Sequence, residues 1–363
     1  MIRFSPLLNF KEFWGWLTVS PPMSFNLEEY GSEVWTQGGA EGISLVCSWL
    51  SAASGKSINV LIPGYFCGQS LRFLRTLNVN LIFYPLTDEL LPDYQEISDR
   101  LDSVKIDLFV HVHYFGNTKG AVQSANFASS IGAKLLEDAV HVLSPRIVDW
   151  VGDFVLFAPH KHFVMPKVGL VFIKDDSKGL KPSWVPKVKA TVALTIWFGK
   201  QVLKNLRWPS AKSSWGVTEC NEKKLLGKHI LSQKHISIAM VNYEKYLPTA
   251  LIKSDNARVL LDRLLKVDKW MPLQEYRSFE CPYIVGMVCE SVEIAERRFL
   301  KLNENSRLVM QWPDLPGEIK IDKKVADQSQ LLVETTLFFT IHQQIYQHDW
   351  LGLLESIITR ENF

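Results

Sequence analysis

Residues 107–141 read DLFVHVHYFGNTKGAVQSANFASSIGAKLLEDAVH, and the fold turns on how this stretch is read. Asp107–His113 starts apolar on both faces and becomes polar at its end, as a central strand of a parallel sheet does where it leaves the core. Ala121–Ile131 has helical spacing, and Ala133–Glu137 returns to a short apolar run, so the stretch is a strand–helix–strand unit. The same alternation extends outward in both directions. Strands are predicted at Ile58–Ile62, Val79–Tyr84, Asp153–Phe157 and Gly169–Ile173, with helices at Gly39–Ala53, Gly68–Leu77 and Tyr94–Asp102. The fold class is therefore α/β, a mostly parallel sheet flanked by helices, assigned to residues 31–215 behind an N-terminal arm at 1–30.

Residues 216–363 read differently: helices at Glu222–Lys245 and Ala257–Leu265, then strands at Tyr283–Cys289 and Arg307–Gln311 around a helix at Val292–Leu302. This is the pattern of a helical connection into a smaller α+β domain, of the kind that closes over a cleft on a larger one. A chain of 363 residues is long enough for two such cores. With 47% hydrophobic and 21% charged residues, the composition excludes disordered, collagen-like and coiled-coil classes. The net charge of +2 gives no reason to expect nucleic acid as a partner. The five cysteines are scattered, without metal-ligand spacing, which fits a reducing cytoplasm better than a disulfide framework. No apolar run reaches the ~18 residues of a membrane span. Met1–Thr18 is broken by Arg3, Lys11 and Glu12 and reads as a packed arm, not a targeting signal.

The segment 174–215 stands apart, carrying Trp184, Trp197, Trp208 and Trp215 among many Lys and Arg and only Asp175 and Asp176 as acids. It reads either as a solvated basic face with tryptophans packed inward or as a landing surface for an anionic partner.

The residues just past each strand carry the chemistry. After Ile62 comes Pro63-Gly64-Tyr65, after His113 comes Tyr114-Phe115-Gly116, after Glu137 comes Asp138, and after Phe157 comes Ala158-Pro159-His160-Lys161. Open α/β sheets bind ligands beyond the carboxyl ends of their strands, so these residues are expected to converge on one crevice. Asp138 reads as a helix cap, a metal ligand or a carboxylate held ionised against a protonated ring nitrogen. Lys161, at the mouth of the next strand, reads as a surface cation or as an amine desolvated enough to form a Schiff base. Together the two match what a pyridoxal 5'-phosphate ring requires. The Gly38-Gly39-Ala40-Glu41-Gly42 turn opens the first helix with exposed amides that attract a phosphate, while Tyr65 and Phe66 either stack on a flat cofactor or pack.

With these residues in place, the sequence resembles the DegT/DnrJ/EryC1/StrS group of fold-type I pyridoxal phosphate enzymes, chiefly sugar aminotransferases. The resemblance rests on Ile62-Pro63-Gly64-Tyr65, His113-Tyr114-Phe115-Gly116, Glu137-Asp138-Ala139-Val140-His141, and Gly152-Asp153-Phe154 running into Lys161 and Gly169. Trp312-Pro313-Asp314-Leu315-Pro316 and Ile341-His342-Gln343 look like late segments of divergent members. The resemblance implies an aspartate aminotransferase-like fold and an aminotransferase that uses pyridoxal 5'-phosphate to move an amino group from an amino acid such as glutamate to a keto-sugar, often nucleotide-linked. It implies that Lys161 carries the cofactor as an internal aldimine and that Asp138 pairs with the pyridine nitrogen. His141 falls near the phenolic oxygen, Gly39 and Ala40 form the phosphate turn, and Tyr65, Phe66 or Cys67 stacks on the ring. It further implies a homodimer whose second chain completes the phosphate site.

The sequence departs from the group in two places. The hydroxyls of a Ser-Gly-Thr phosphate turn are absent from Gly38-Gly39-Ala40, and the serine that precedes the lysine is replaced by Leu156 or Ala158. Dehydratase members carry histidine instead of the lysine, and here His160 and His162 flank Lys161. The residues support two further readings. One is a relative that keeps the fold as a binding module; the other is a metal-dependent hydrolase built on His111, His113, His141, Asp138 and Lys161.

Overall fold

The computed structural model of the chain describes residues 32–101, 104–145, 150–163, 165, 167–174, 198–200, 250–265, 270–275, 281–303, 309–312 and 314–341. The N-terminal arm, the helix predicted at Glu222–Lys245, His342, Gln343 and nearly all of the basic tryptophan-rich segment lie outside them.

Seven strands form the first sheet: β1 (Ser32–Thr36), β2 (Ile58–Pro63), β3 (Val79–Tyr84), β4 (Leu108–Val112), β5 (Lys134–Ala139), β6 (Phe154–Phe157) and β7 (Gly169–Ile173). Their order is β1-β7-β6-β5-β4-β2-β3. Neighbours from β3 through β6 are parallel, while β7 runs antiparallel to both β6 and β1. β4, β6 and β7 are buried along their whole length, as the unbroken apolar runs in the sequence require. After β3 the chain returns to the other side of β2 to form β4, and this reversal of strand order opens a crevice beyond the carboxyl ends.

Three helices flank this sheet among the described residues: α1 (Gly39–Ser54), α2 (Tyr94–Leu101) and α3 (Ala121–Ser130). α1 buries Gly42, Ile43, Val46 and Cys47, one stripe at helical spacing, and a Cβ on Gly42 would stand 2.3 Å from Leu156 Cδ1, so glycine sets how closely α1 approaches β6. The helix predicted at Gly68–Leu77 is instead two 3-10 turns, Gly68–Leu71 and Leu74–Thr76. Buried Leu71 and Leu74, three apart, fit the three-residue period of that tighter helix.

Farther along the chain come α4 (Ala250–Leu264), β8 (Met271–Pro272), β9 (Ile284–Val288), α5 (Val292–Asn303), β10 (Val309–Met310), α6 (Lys323–Thr335) and β11 (Thr336–Thr340). Their four strands make a second, antiparallel sheet in the order β10-β11-β9-β8. Asp322 caps α6 by accepting from Val325 N–H. The second sheet meets the first near the crevice, where Tyr283 N–H donates to the Phe115 carbonyl at 2.8 Å. Phe115 has φ 57, rare for a bulky side chain, and Gly116 has φ 98. A Cβ on Gly116 would lie 3.1 Å from the His141 carbonyl and 3.2 Å from that of Cys281, so this strained turn is what lets the two parts meet.

Candidate active site

The crevice holds a pocket of about 190 Å³. The ends of β5 and β6 put Asp138 and Lys161 in its wall, since Asp138 pairs in register with Leu156 and Lys161 closes the turn just past β6. Val140, His141 and His160 line it beside them, and Gly38, Gly39 and Ala40 line it from the first turn of α1. Phe66 and Cys67 also face the pocket. Tyr65 does not: in the bend that follows β2 its ring turns into the core and stacks on Trp312, with centroids 5.0 Å apart.

Asp138 is buried, with Oδ1 accepting from Val140 N–H at 3.3 Å. Burial pushes its pKa up to about 6, against the opposing pull of that amide, Lys161 and His113. A carboxylate whose charge is this costly fits a protonated ring nitrogen, which would supply the opposite charge at contact.

The three residues His160, Lys161 and His162 separate cleanly. His160 donates through Nδ1 to the Val168 carbonyl at 2.7 Å, and burial, with Lys161 nearby, lowers its pKa to about 3. His162 points away from the pocket, donating through Nε2 to the His141 carbonyl at 2.9 Å. The 3-10 turn thus leaves the lysine, flanked by two neutral histidines, as the amine in the pocket wall. His141 is stacked between Tyr283 (4.8 Å, 7°) and Phe115 (5.7 Å, 11°), and burial followed by the Lys161 charge holds it well below the ordinary histidine pKa.

In the same pocket, close to His160 and Val140, Gly38 caps α1 with φ 136 and no side-chain hydrogen bond. The first amides of a helix have no intrahelical acceptor, so Gly39 and Ala40 present N–H groups at the positive end of a 16-residue helix. Glu41 folds back to accept from Gln37 N–H and the Gln37 amide group. Arg72 lines the same end and lies close enough to Glu41 to oppose the rise in its pKa caused by burial. Ser70 and Gln69 complete this wall. The residues present therefore fit a phosphorylated aromatic cofactor: a buried acid, a lysine, and the positive end of a helix with Arg72 beside it, all lining one pocket.

Nothing in the sequence singles out Arg72, Gln69, Ser70 or Tyr283. Tyr283 comes from the second sheet's side, with its ring centroid 5.8 Å from Lys161 Nζ. No periodicity or spacing links it to residues more than a hundred positions earlier.

His111 and His113 lie outside this pocket, with ring centroids 4.8 Å apart. His111 Nδ1 meets Ser124 Oγ and His113 Nε2 donates to Glu137 Oε2, both at 2.8 Å. Burial alone would raise the Glu137 carboxyl, but His113 and the Gly152 and Val151 amides outweigh it and hold it below its ordinary value. Among the described residues no group of three His, Cys, Asp or Glu is placed to hold a metal, and the two histidines serve as buried struts between β4, β5 and α3.

No family model and no curated protein matches the sequence. Solved structures do. The aminotransferase TlmJ of Streptoalloteichus hindustanus superposes with a TM-score of 0.69 at 16% identity, over 99% of this chain and 98% of that one. PseC of Helicobacter pylori, an aminotransferase in pseudoaminic acid biosynthesis, gives 0.69 at 10% identity over the full length of both. The Escherichia coli GDP-4-keto-6-deoxy-D-mannose-3-dehydratase with bound hydrated PLP gives 0.67 at 14% identity, over 98% and 99%. The chain has the fold of these enzymes. It is the fold-type I architecture that the sequence resemblance implies. No helix among the described residues is long and apolar enough to cross a membrane.

Proposed function

We propose that this chain is a pyridoxal 5'-phosphate-dependent aminotransferase that moves an amino group from an amino acid, glutamate being the expected donor, to a keto-sugar carried on a nucleotide. The observation that carries the reading is the placement of Lys161 and Asp138 in one pocket wall, with neighbouring His160 tied through Nδ1 to the Val168 carbonyl and His162 tied to the His141 carbonyl outside the pocket. When bound, the cofactor supplies an electron sink for carbon–hydrogen bond cleavage next to nitrogen.

The chain's own residues do the rest. Lys161 would hold the cofactor by its aldehyde group, and its free amine would be the base that moves a proton between carbons. Asp138 keeps a proton on the ring nitrogen by offering a carboxylate with little other solvation. His141, neutral and clamped by two rings, is suited to hydrogen-bond the ring's oxygen without adding charge. The Gly39 and Ala40 amides and Arg72 take the phosphate. The resemblance to the sugar aminotransferases, including the lysine where dehydratases carry histidine, supports transamination over dehydration and supports a homodimer.

Adding glutamate to cofactor-loaded protein tests this directly. The visible band should give way to the ultraviolet band of the aminated cofactor, and a nucleotide-linked keto-sugar should restore it. A second reading, a binding module without turnover, draws on the missing hydroxyls at 38–40; a bound cofactor that no amino donor converts would favour it.

A further inference from the structure

Lys253, in the first turns of α4, is one of the most completely buried side chains of the protein, at 2% exposure. An ammonium group removed from water costs several kcal/mol unless compensated. The polar partner it meets is His162 Nδ1, at 2.9 Å. Burial depresses its pKa, with Cys281 opposing.

The hydrogen bonds fix the direction of this contact. His162 Nε2 faces the His141 carbonyl, which only accepts, so Nε2 carries the proton and Nδ1 is left as an acceptor for Lys253. The His162 ring packs edge-on against Tyr283 at 5.5 Å, and Tyr283 in turn lies with its ring centroid 5.8 Å from Lys161 Nζ and stacks on His141. One chain of contacts thus runs from α4 through His162 to the backbone of His141 and the turn that carries Lys161.

We infer that Lys253 is a positioning residue: its amine fixes the tautomer and orientation of His162 and thereby clamps Lys161 and His141 toward the pocket. This rests on the reading of Lys161 as the cofactor-bearing lysine. It explains why a cation is kept where methionine would fill the space at no electrostatic cost.

The test is a titration of wild-type protein, Lys253→Met, His162→Phe and the double variant with pyridoxal phosphate, following the visible band of the lysine-bound cofactor. Each single variant is expected to weaken binding by about tenfold and displace the band, and the double variant to match His162→Phe, because the amine then has nothing to orient. Lys253→Gln, which keeps an N–H donor, is expected to restore the wild-type band. Wild-type affinity and spectrum in Lys253→Met, or losses that add in the double variant, would overturn the inference. Should Lys253→Met not fold, His162→Phe decides: a weakened and displaced band supports the clamp, and a wild-type titration overturns it. Absence of any band in the wild type would instead count against the proposed function.

Discussion

The carboxyl ends of β5 and β6 and the first turn of α1 face the same pocket by opposite means. The strand ends supply ionisable side chains, Asp138, which is buried, and Lys161, which is exposed at the pocket and flanked by histidines tied into the structure through their own hydrogen bonds. The helix end supplies almost nothing but backbone: Gly38, Gly39 and Ala40 offer amides and a dipole, with Arg72 as the nearby side-chain charge. The difference teaches that the group which makes and breaks bonds must be a particular side chain at a particular strand end, whereas an anion can be held by any set of donors. On the proposed function, the anchoring end can therefore do without side-chain hydroxyls, whereas the reacting end needs its acid and amine.

The sharpest way to break this comparison is at the reacting end. Lys161→Ala is expected to lower transamination by at least ~10³-fold, since both the anchoring amine and the base are lost; residual turnover above roughly a tenth of wild type would mean the amine is dispensable. Asp138→Asn is expected to cost about 10²–10³-fold in the same assay while stabilising the cofactor-free protein. Because burial raises the Asp138 pKa from 3.8 to about 6, the folded state holds a proton that the unfolded state has released between those values. Its contribution to stability is full below the unfolded pKa and lost as pH rises through the folded one. In denaturant unfolding, Asp138→Asn should therefore exceed wild type in stability at about pH 7.5, by about 1–3 kcal/mol, and match it near about pH 3.5. A variant that gains nothing at the higher pH would show that the carboxylate is better solvated than its burial implies.

At the anchoring end the effects are smaller and selective. Arg72→Gln is expected to weaken pyridoxal phosphate by about tenfold and leave pyridoxal, which lacks the phosphate, unchanged. Equal weakening of both would place Arg72 away from the anion. Ala40→Thr, which returns a hydroxyl to the turn, is expected to tighten pyridoxal phosphate binding about threefold, worth roughly 0.5–1 kcal/mol for one added hydrogen bond; no change would show that the amides already saturate the phosphate.

The sheet is legible in the sequence where short β-branched runs lead into turn residues: β2 through β7 stand within one or two residues of their expected places. β1 is not, because Ser-Glu-Val-Trp-Thr is short and half-buried, an edge strand without the apolar run of its neighbours. β11 is hidden because α6 runs into it without a glycine or proline between them, so nothing local marks the change from helix to strand. In the site, Asp138, Lys161, His141 and the glycine turn are legible because they sit at strand ends or at a helix start. Tyr65 is expected to face the cofactor and stacks on Trp312 instead, a partner far along the chain that no local pattern records. Tyr283 and Lys253 carry no signal, because the docking of the second sheet and α4 brings Tyr283 to Lys161 and Lys253 to His162, a long-range event that periodicity does not record.

The claim on which the rest depends is that position 161 carries the cofactor. Borohydride reduction of the purified protein mixed with pyridoxal phosphate, with peptide mapping of the product, tests it most directly. A stoichiometric phosphopyridoxyl group on the peptide containing Lys161, and its disappearance in Lys161→Ala, is the expected result. Label spread over surface lysines, or concentrated on Lys253 or Lys167, would contradict the account.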